Sequence, residues 1–237
     1  MGVALAEAID GLYVAFADEP RPAGIEACPC CVSPAQVAAL LGPDDLRTLP
    51  AETVADYAAH AMTTVGSASD FRYFLPRLLQ VAVTDGFDWP DLEIAVGRLR
   101  LAGWLAWPPD QQRAVRAVLG ALWDQTLRQH PISPDADTVL CAIGNAEDDL
   151  TAYLAAWESL LRTGAAAPAQ HLSDLLNWSA RVENGRWRLR NAFWEHRDGP
   201  VSDWLAADST RAAVLAGFDA ATSEPALTAL AEVAPLL

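Results

Sequence analysis

From Leu5 to Val233, apolar residues keep returning at intervals of three and four, in segments that proline, glycine and serine interrupt. Leu5, Ile9, Leu12, Tyr13 and Phe16 follow this spacing. So do Val115, Val118, Leu119 and Leu122, and again Leu150, Tyr153, Leu154, Trp157, Leu160 and Leu161. Such spacing lines one face of a 3.6-residue helix and cannot line one face of a strand, whose side chains alternate every second residue. The chain is therefore expected to be all-α, with about ten to twelve antiparallel helices of modest length in a HEAT-like or irregular stack. No repeat of fixed period is present, so a regular solenoid does not follow. One segment breaks the pattern: at 183–190, Asn184-Gly185 is a tight-turn signal and Trp187 and Leu189 alternate with arginines, which predicts a short hairpin.

The breaks place the helices. The first runs over 3–18 and ends at Pro20 and Pro22, and a loop over 19–32 follows. Ser33-Pro34-Ala35-Gln36 reads as a capping box with proline at the first helical position, so a helix starts there. Short helices are expected at 34–41 and 43–48, and a longer one over 50–64. Another, bent at Pro76, reaches Val83. Asp88 can cap a helix over 89–102, and Trp107-Pro108-Pro109 opens a long one to Gln129. Ser133-Pro134, Asp148 and Pro168 open three more, the last carrying Leu172, Leu175, Leu176 and Trp178 inward as far as Arg181. Helices near 200–207, 209–221 and 224–234 close the pattern.

At 237 residues the chain can bury a real core. No composition shift divides it, so one helical domain over 1–237 is expected. The formal charge of -15 argues against nonspecific binding to nucleic acid or to an anionic membrane, and leaves a neutral or basic protein partner open. All 16 cationic side chains are arginine. Schiff-base chemistry and the phosphate-binding lysine of P-loop proteins or protein kinases are thereby excluded. The sequence at Met1-Gly2-Val3-Ala4 has no cationic start, and Glu7 and Asp10 interrupt the apolar run, which does not read as a secretory signal. A cytoplasmic location is expected, and thiols there stay reduced unless they bind metal or do redox work.

Three of the four cysteines, Cys28, Cys30 and Cys31, lie within four positions of the loop. Three soft ligands in one short segment predict a site for zinc or another thiophilic metal. C-x-C-C is tighter than the usual zinc spacing and suits Cu(I) equally. The fourth ligand is open between Cys141, His60, His130, His171 and His196. Two other readings stand beside metal. Free cysteines commonly pack as small apolar residues, and Cys28 with Cys31 formally matches C-x-x-C at a helix start, where the dipole would favour thiolate and redox or thiol chemistry. Lone Cys141, between Leu140 and Ile143, reads as core.

The second chemical feature lies between Arg181 and Arg197, which bracket five of the sixteen arginines with Trp187, Phe193, Trp194 and His196 interleaved. Arg186, Trp187, Arg188 and Arg190 are the candidate anion- or partner-binding set, since guanidinium and aromatic faces suit carboxylate, phosphate or stacked ligands. The same composition also fits aromatics anchoring a core while arginines pair with the abundant acids.

Thr63-Thr64-Val65-Gly66 followed by Asp70-Phe71-Arg72-Tyr73-Phe74-Leu75-Pro76-Arg77-Leu78-Leu79 resembles a segment of bacterial helical proteins of unassigned function. Those carry Trp where Val65 stands and Glu where Gln80 stands. The Cys28-Pro29-Cys30-Cys31 loop belongs with the same likeness, which covers about a third of the chain. The resemblance implies a helical-repeat-like bacterial protein and brings no activity or catalytic residue with it.

No G-x-G-x-x-G, P-loop, H-E-x-x-H, G-x-S-x-G or EF-hand loop occurs. The sequence leans away from an enzyme and toward a helical interaction or accessory protein with a thiolate metal loop. A thiol-dependent enzyme and an acidic inhibitor or immunity-type protein for a basic partner are the alternatives.

Overall fold

The computed structural model describes residues 2–237, and its order of elements follows the spacing. Twelve α-helices and one two-stranded hairpin are present among the described residues: the fold is all-α. Backbone packing resolves into two compact units, residues 1–121 and 122–237.

The first unit holds α1 (Val3–Ala15), α2 (Pro34–Leu40), α3 (Ala51–His60), α4 (Ala68–Thr84) and α5 (Leu92–Leu101), with the start of α6 (Pro109–Arg128). Helix α4 is its centre. Ser67 caps it reciprocally: the Asp70 amide donates to Ser67 Oγ at 3.3 Å and the Ser67 amide donates to Asp70 Oδ2 at 2.7 Å. Pro76 lies inside the helix and costs one backbone hydrogen bond. Burial on several sides offsets that loss, because Phe71, Phe74, Leu75, Leu78, Leu79 and Val81 are all buried.

The polar members of the Asp70–Leu79 run serve the same packing. Arg72 pairs with Glu19 and also donates to Gln111 at 3.1 Å. The Arg77 Nε donates to the Leu49 carbonyl at 2.9 Å. These two guanidinium groups tie the irregular segments after α1 and before α3 to the central helix.

The second unit holds the end of α6, then α7 (Ala136–Ala146), α8 (Thr151–Leu161) and α9 (Ala166–Asp174). After the hairpin come α10 (Gly199–Leu205), α11 (Asp208–Ala220) and α12 (Glu224–Val233). Helix α9 packs on α12, and α11 on both α8 and α12. Trp123, Trp157 and Trp194 are fully buried there.

The hairpin pairs β1 (Ala180–Glu183) with β2 (Arg186–Leu189), antiparallel, Val182 opposite Trp187. Asn184 and Gly185 both take positive φ, 52° and 76°, as a two-residue turn matching the strand twist requires.

Three expectations shift. No α-helix forms at 43–48, where only a tight 3-10 turn over Leu46–Thr48 follows the Asp45 cap. The helix from Pro168 does not reach Arg181: α9 stops at Asp174, a wider π-type turn covers Leu175–Ser179, and the strand begins at Ala180. The wider turn breaks the 3.6-residue phase, so Trp178 is 77% exposed rather than inward. Helix α5 begins at Leu92 after Asp91, not at Trp89, which is exposed.

Candidate metal centre

The cysteine turn is held where it begins, by two backbone hydrogen bonds. The Cys28 amide donates to the Thr64 carbonyl at 2.9 Å and the Gly66 amide to the Glu26 carbonyl at 2.8 Å, which pairs Ala27 with Val65 in a single antiparallel bridge. The receiving segment is itself a tight turn, in which the His60 carbonyl accepts from the amides of Thr63, Thr64 and Val65. Buried Val32 and Val65 sit under the loop. Beside them α2 and α3 leave a small recess of about 70 Å³ lined by Val32, Val37, Leu40, Tyr57 and Val65.

Directly after those anchors Cys28-Pro29-Cys30-Cys31 forms one reverse turn. The Cys28 carbonyl accepts from the amides of Cys31 and Val32, each at 3.0 Å. Proline at the second position of such a turn is pre-set in φ and has no amide to satisfy. The turn gathers the three side chains: the sulfurs of Cys28 and Cys30 are 2.6 Å apart, those of Cys30 and Cys31 3.8 Å, and all three lie within 4.8 Å of one another. Cys30 is exposed, and Cys28 and Cys31 are half-buried. No histidine, aspartate or glutamate of the described residues joins them at that spacing.

The helix that follows does not lend its amides to the sulfurs. α2 has only seven residues, and its capping box is complete: the Gln36 amide donates to Ser33 Oγ at 3.3 Å, and the Ser33 amide to Gln36 Oε1 at 2.9 Å. The thiols perturb one another instead. The Cys30 thiol, then the Cys30 amide, hold Cys28 below its ordinary pKa. Cys30, donating to Cys28 and Cys31, is pushed up to about 11. Between these two, Cys28 is therefore the better thiolate and Cys30 the hydrogen-bond donor.

The candidates for a fourth ligand have other engagements. Cys141 is fully buried in α7. His171 is buried, its Nε2 facing the carbonyls of Thr126 and Gln129 at 2.8 Å each, and burial lowers its pKa. His130 Nε2 meets Asp174 Oδ2 at 2.7 Å. His196 is exposed on the loop after the hairpin, and His60 sits in the turn that receives the Cys28 strand.

The arginine-rich segment divides. Arg188 and Arg190 line an open concavity of about 640 Å³ with Arg181, Glu195, His196 and Asp198, whereas Arg186 and Trp187 are not in its wall. Most of the positive charge is already spent on acids: Arg181 on Glu183 at 2.9 Å, Arg186 on Asp203 at 2.7 Å and Arg188 on Asp198 at 3.0 Å. The Arg190 Nε donates to the Ala180 carbonyl at 3.3 Å. Trp194 is core, its indole nitrogen donating to Asp137. Asp198 and Asp203 lie just beyond the stretch in which the charges were counted, so its positive excess is local to the sequence.

No protein-family model, curated protein or solved structure matches the chain. No described helix is long and apolar enough to cross a membrane. The cysteine turn is thus the feature from which a chemical role can be argued.

Proposed function

We propose that the protein is a helical accessory or interaction protein whose Cys28-Pro29-Cys30-Cys31 turn binds zinc or another thiophilic metal ion. The observation that carries this is the convergence of three sulfurs within 4.8 Å on a turn whose first residue is tied by its amide to the Thr64 carbonyl. Packing alone gives no reason to gather three thiols at the surface, since a free cysteine usually serves packing by being buried. Thiolates are soft ligands, and zinc and Cu(I) are the ions they favour. A protein partner with a neutral or basic face, approaching the net negative surface, completes the proposal.

Elemental analysis of the purified protein tests the reading. About one equivalent of a thiophilic ion is expected in the wild type under the one-ion geometry of such sites, and near none in Cys30→Ser and Cys31→Ser. Metal content that both substitutions leave unchanged overturns it.

A second reading rests on the 2.6 Å approach of Cys28 and Cys30. A peroxide could join these two sulfurs, each losing its hydrogen while the peroxide leaves as two waters. That reading predicts metal-free protein isolated with Cys28 and Cys30 already cross-linked, by mass analysis without reductant.

Binding should stabilise the fold less than its affinity implies. All three ligands fall within four residues, so the unfolded chain keeps them together and retains part of the affinity, which cancels from the folding equilibrium. The expected gain on loading is below the roughly 2.7 kcal/mol that an ion at 100 times its Kd would give by binding the folded state alone. A melting curve with and without zinc measures it. A gain at or above that figure would mean that a residue distant in sequence, such as His60, closes the site.

A further inference from the structure

Resting on that metal reading, the geometry points to a three-coordinate site: the described residues supply three sulfurs and no fourth ligand beside them, and the ion the site suits is one content with three thiolates, copper(I) or arsenic(III), with zinc held only when an external ligand fills its fourth position.

Three observations support this, the first being the sulfur spacing. Sulfurs bound about 2.3 Å from one ion stand roughly 3.8–4.0 Å apart, whether tetrahedral or planar. Cys30 and Cys31 already stand at 3.8 Å. Cys28 and Cys30, at 2.6 Å, have to open. Cys30 is exposed and Cys28 half-buried, so side-chain rotation can accomplish this while the Cys28 and Gly66 amides keep the backbone in place.

The second support is the missing fourth group. Among the described residues no imidazole or carboxylate joins the three sulfurs within 4.8 Å. The remaining thiol, Cys141, has no exposed surface, so it offers no sulfur to an ion at the surface. Structural zinc sites are closed by four protein ligands, whereas sites with three keep a position for water or substrate. Copper(I) and arsenic(III) need no such completion, the latter because its lone pair occupies the remaining direction.

The third is exposure. Because the Cys30 side of the turn faces solvent, the ion would sit where a second thiol or a partner's ligand can reach it. An ion held this way can be passed on, which a buried structural site does not allow.

Arsenite is the sharpest probe. Its three hydroxyls leave as water as three thiols give up their protons, with no change of oxidation state, so stoichiometry reads the ligand number directly. One arsenite per chain is expected, shielding all of Cys28, Cys30 and Cys31 from iodoacetamide. Each single cysteine-to-serine change should weaken binding by about tenfold or more, as loss of a ligating group does. X-ray absorption of the zinc form should give three sulfur neighbours and one oxygen or nitrogen. Four sulfurs around zinc, or arsenite that leaves one of the three cysteines free for alkylation, overturns the three-coordinate assignment and leaves the metal reading intact. Failure of both zinc and arsenite to bind removes the metal reading itself, and this inference with it.

Discussion

Replacing Trp157 by alanine is expected to cost the 122–237 unit about 3–5 kcal/mol, a large part of what a unit of this size has to spare. The indole is inaccessible to solvent. It meets Trp123 edge-on at 5.3 Å and stacks on Trp204 at 5.1 Å, and its nitrogen donates to the Pro168 carbonyl at 3.0 Å. Alanine would remove the contacts of a large ring from both neighbours and take away the indole donor that the Pro168 carbonyl accepts. Phenylalanine keeps a ring while losing the hydrogen bond, so Trp157→Phe should cost less, roughly 1–3 kcal/mol. Urea titration followed by far-ultraviolet circular dichroism separates the two. An alanine variant within about 1 kcal/mol of wild type would mean that the three indoles do not form the centre of this unit.

The same cluster indicates what a sequence of this kind discloses about its fold. Trp157 was legible as a core residue because Leu154, Leu161 and Tyr153 share its face of α8, and periodicity reports faces. Ser33 and Gln36 were legible as a capping box, and both reciprocal bonds form. The Asn184-Gly185 turn was equally local. Trp178 was misplaced for a physical reason: the period holds only while the helix does, and the π-type turn at Leu175–Ser179 changes the phase just before that side chain.

At the candidate site, what was local could be read and what was distant could not. C-P-C-C announced clustered thiols, and proline after Cys28 was a signal for the turn that gathers them. The Thr64 carbonyl and the Glu26 carbonyl that fix the loop lie at the ends of a one-residue bridge between Ala27 and Val65. A bridge that short leaves no alternation in either segment. The division at residue 121 is similarly silent, since it falls inside α6, where the helical pattern continues unbroken.

The other large effect concerns two glycines that let α8 and α11 approach closely. A methyl group on Gly217, inside α11, would lie 2.2 Å from the Leu161 carbonyl oxygen at the end of α8. One on Gly164, just after α8, would lie 2.5 Å from the Ala221 amide nitrogen at the end of α11, and Gly164 also has φ of +69°. Each glycine therefore sits against the backbone that ends the other helix, and backbone cannot rotate aside as a side chain can. Alanine gains roughly 1 kcal/mol of helix propensity over glycine in a helix interior, while overpacking costs about 1–3 kcal/mol or more. At 2.2 Å from a carbonyl the overpacking term wins, and Gly217→Ala should destabilise by about 2 kcal/mol net. Gly164→Ala has no propensity to gain and adds the left-handed backbone penalty of about 1–2 kcal/mol, so it should be at least as damaging. Gly11→Ala supplies the contrast: this glycine is inside α1 with no atom within 4 Å of the added carbon, and the propensity gain of up to roughly 1 kcal/mol should appear as stabilisation. Chemical denaturation of the three variants decides the matter, and a Gly217→Ala protein as stable as Gly11→Ala would show that α8 and α11 do not approach through these positions.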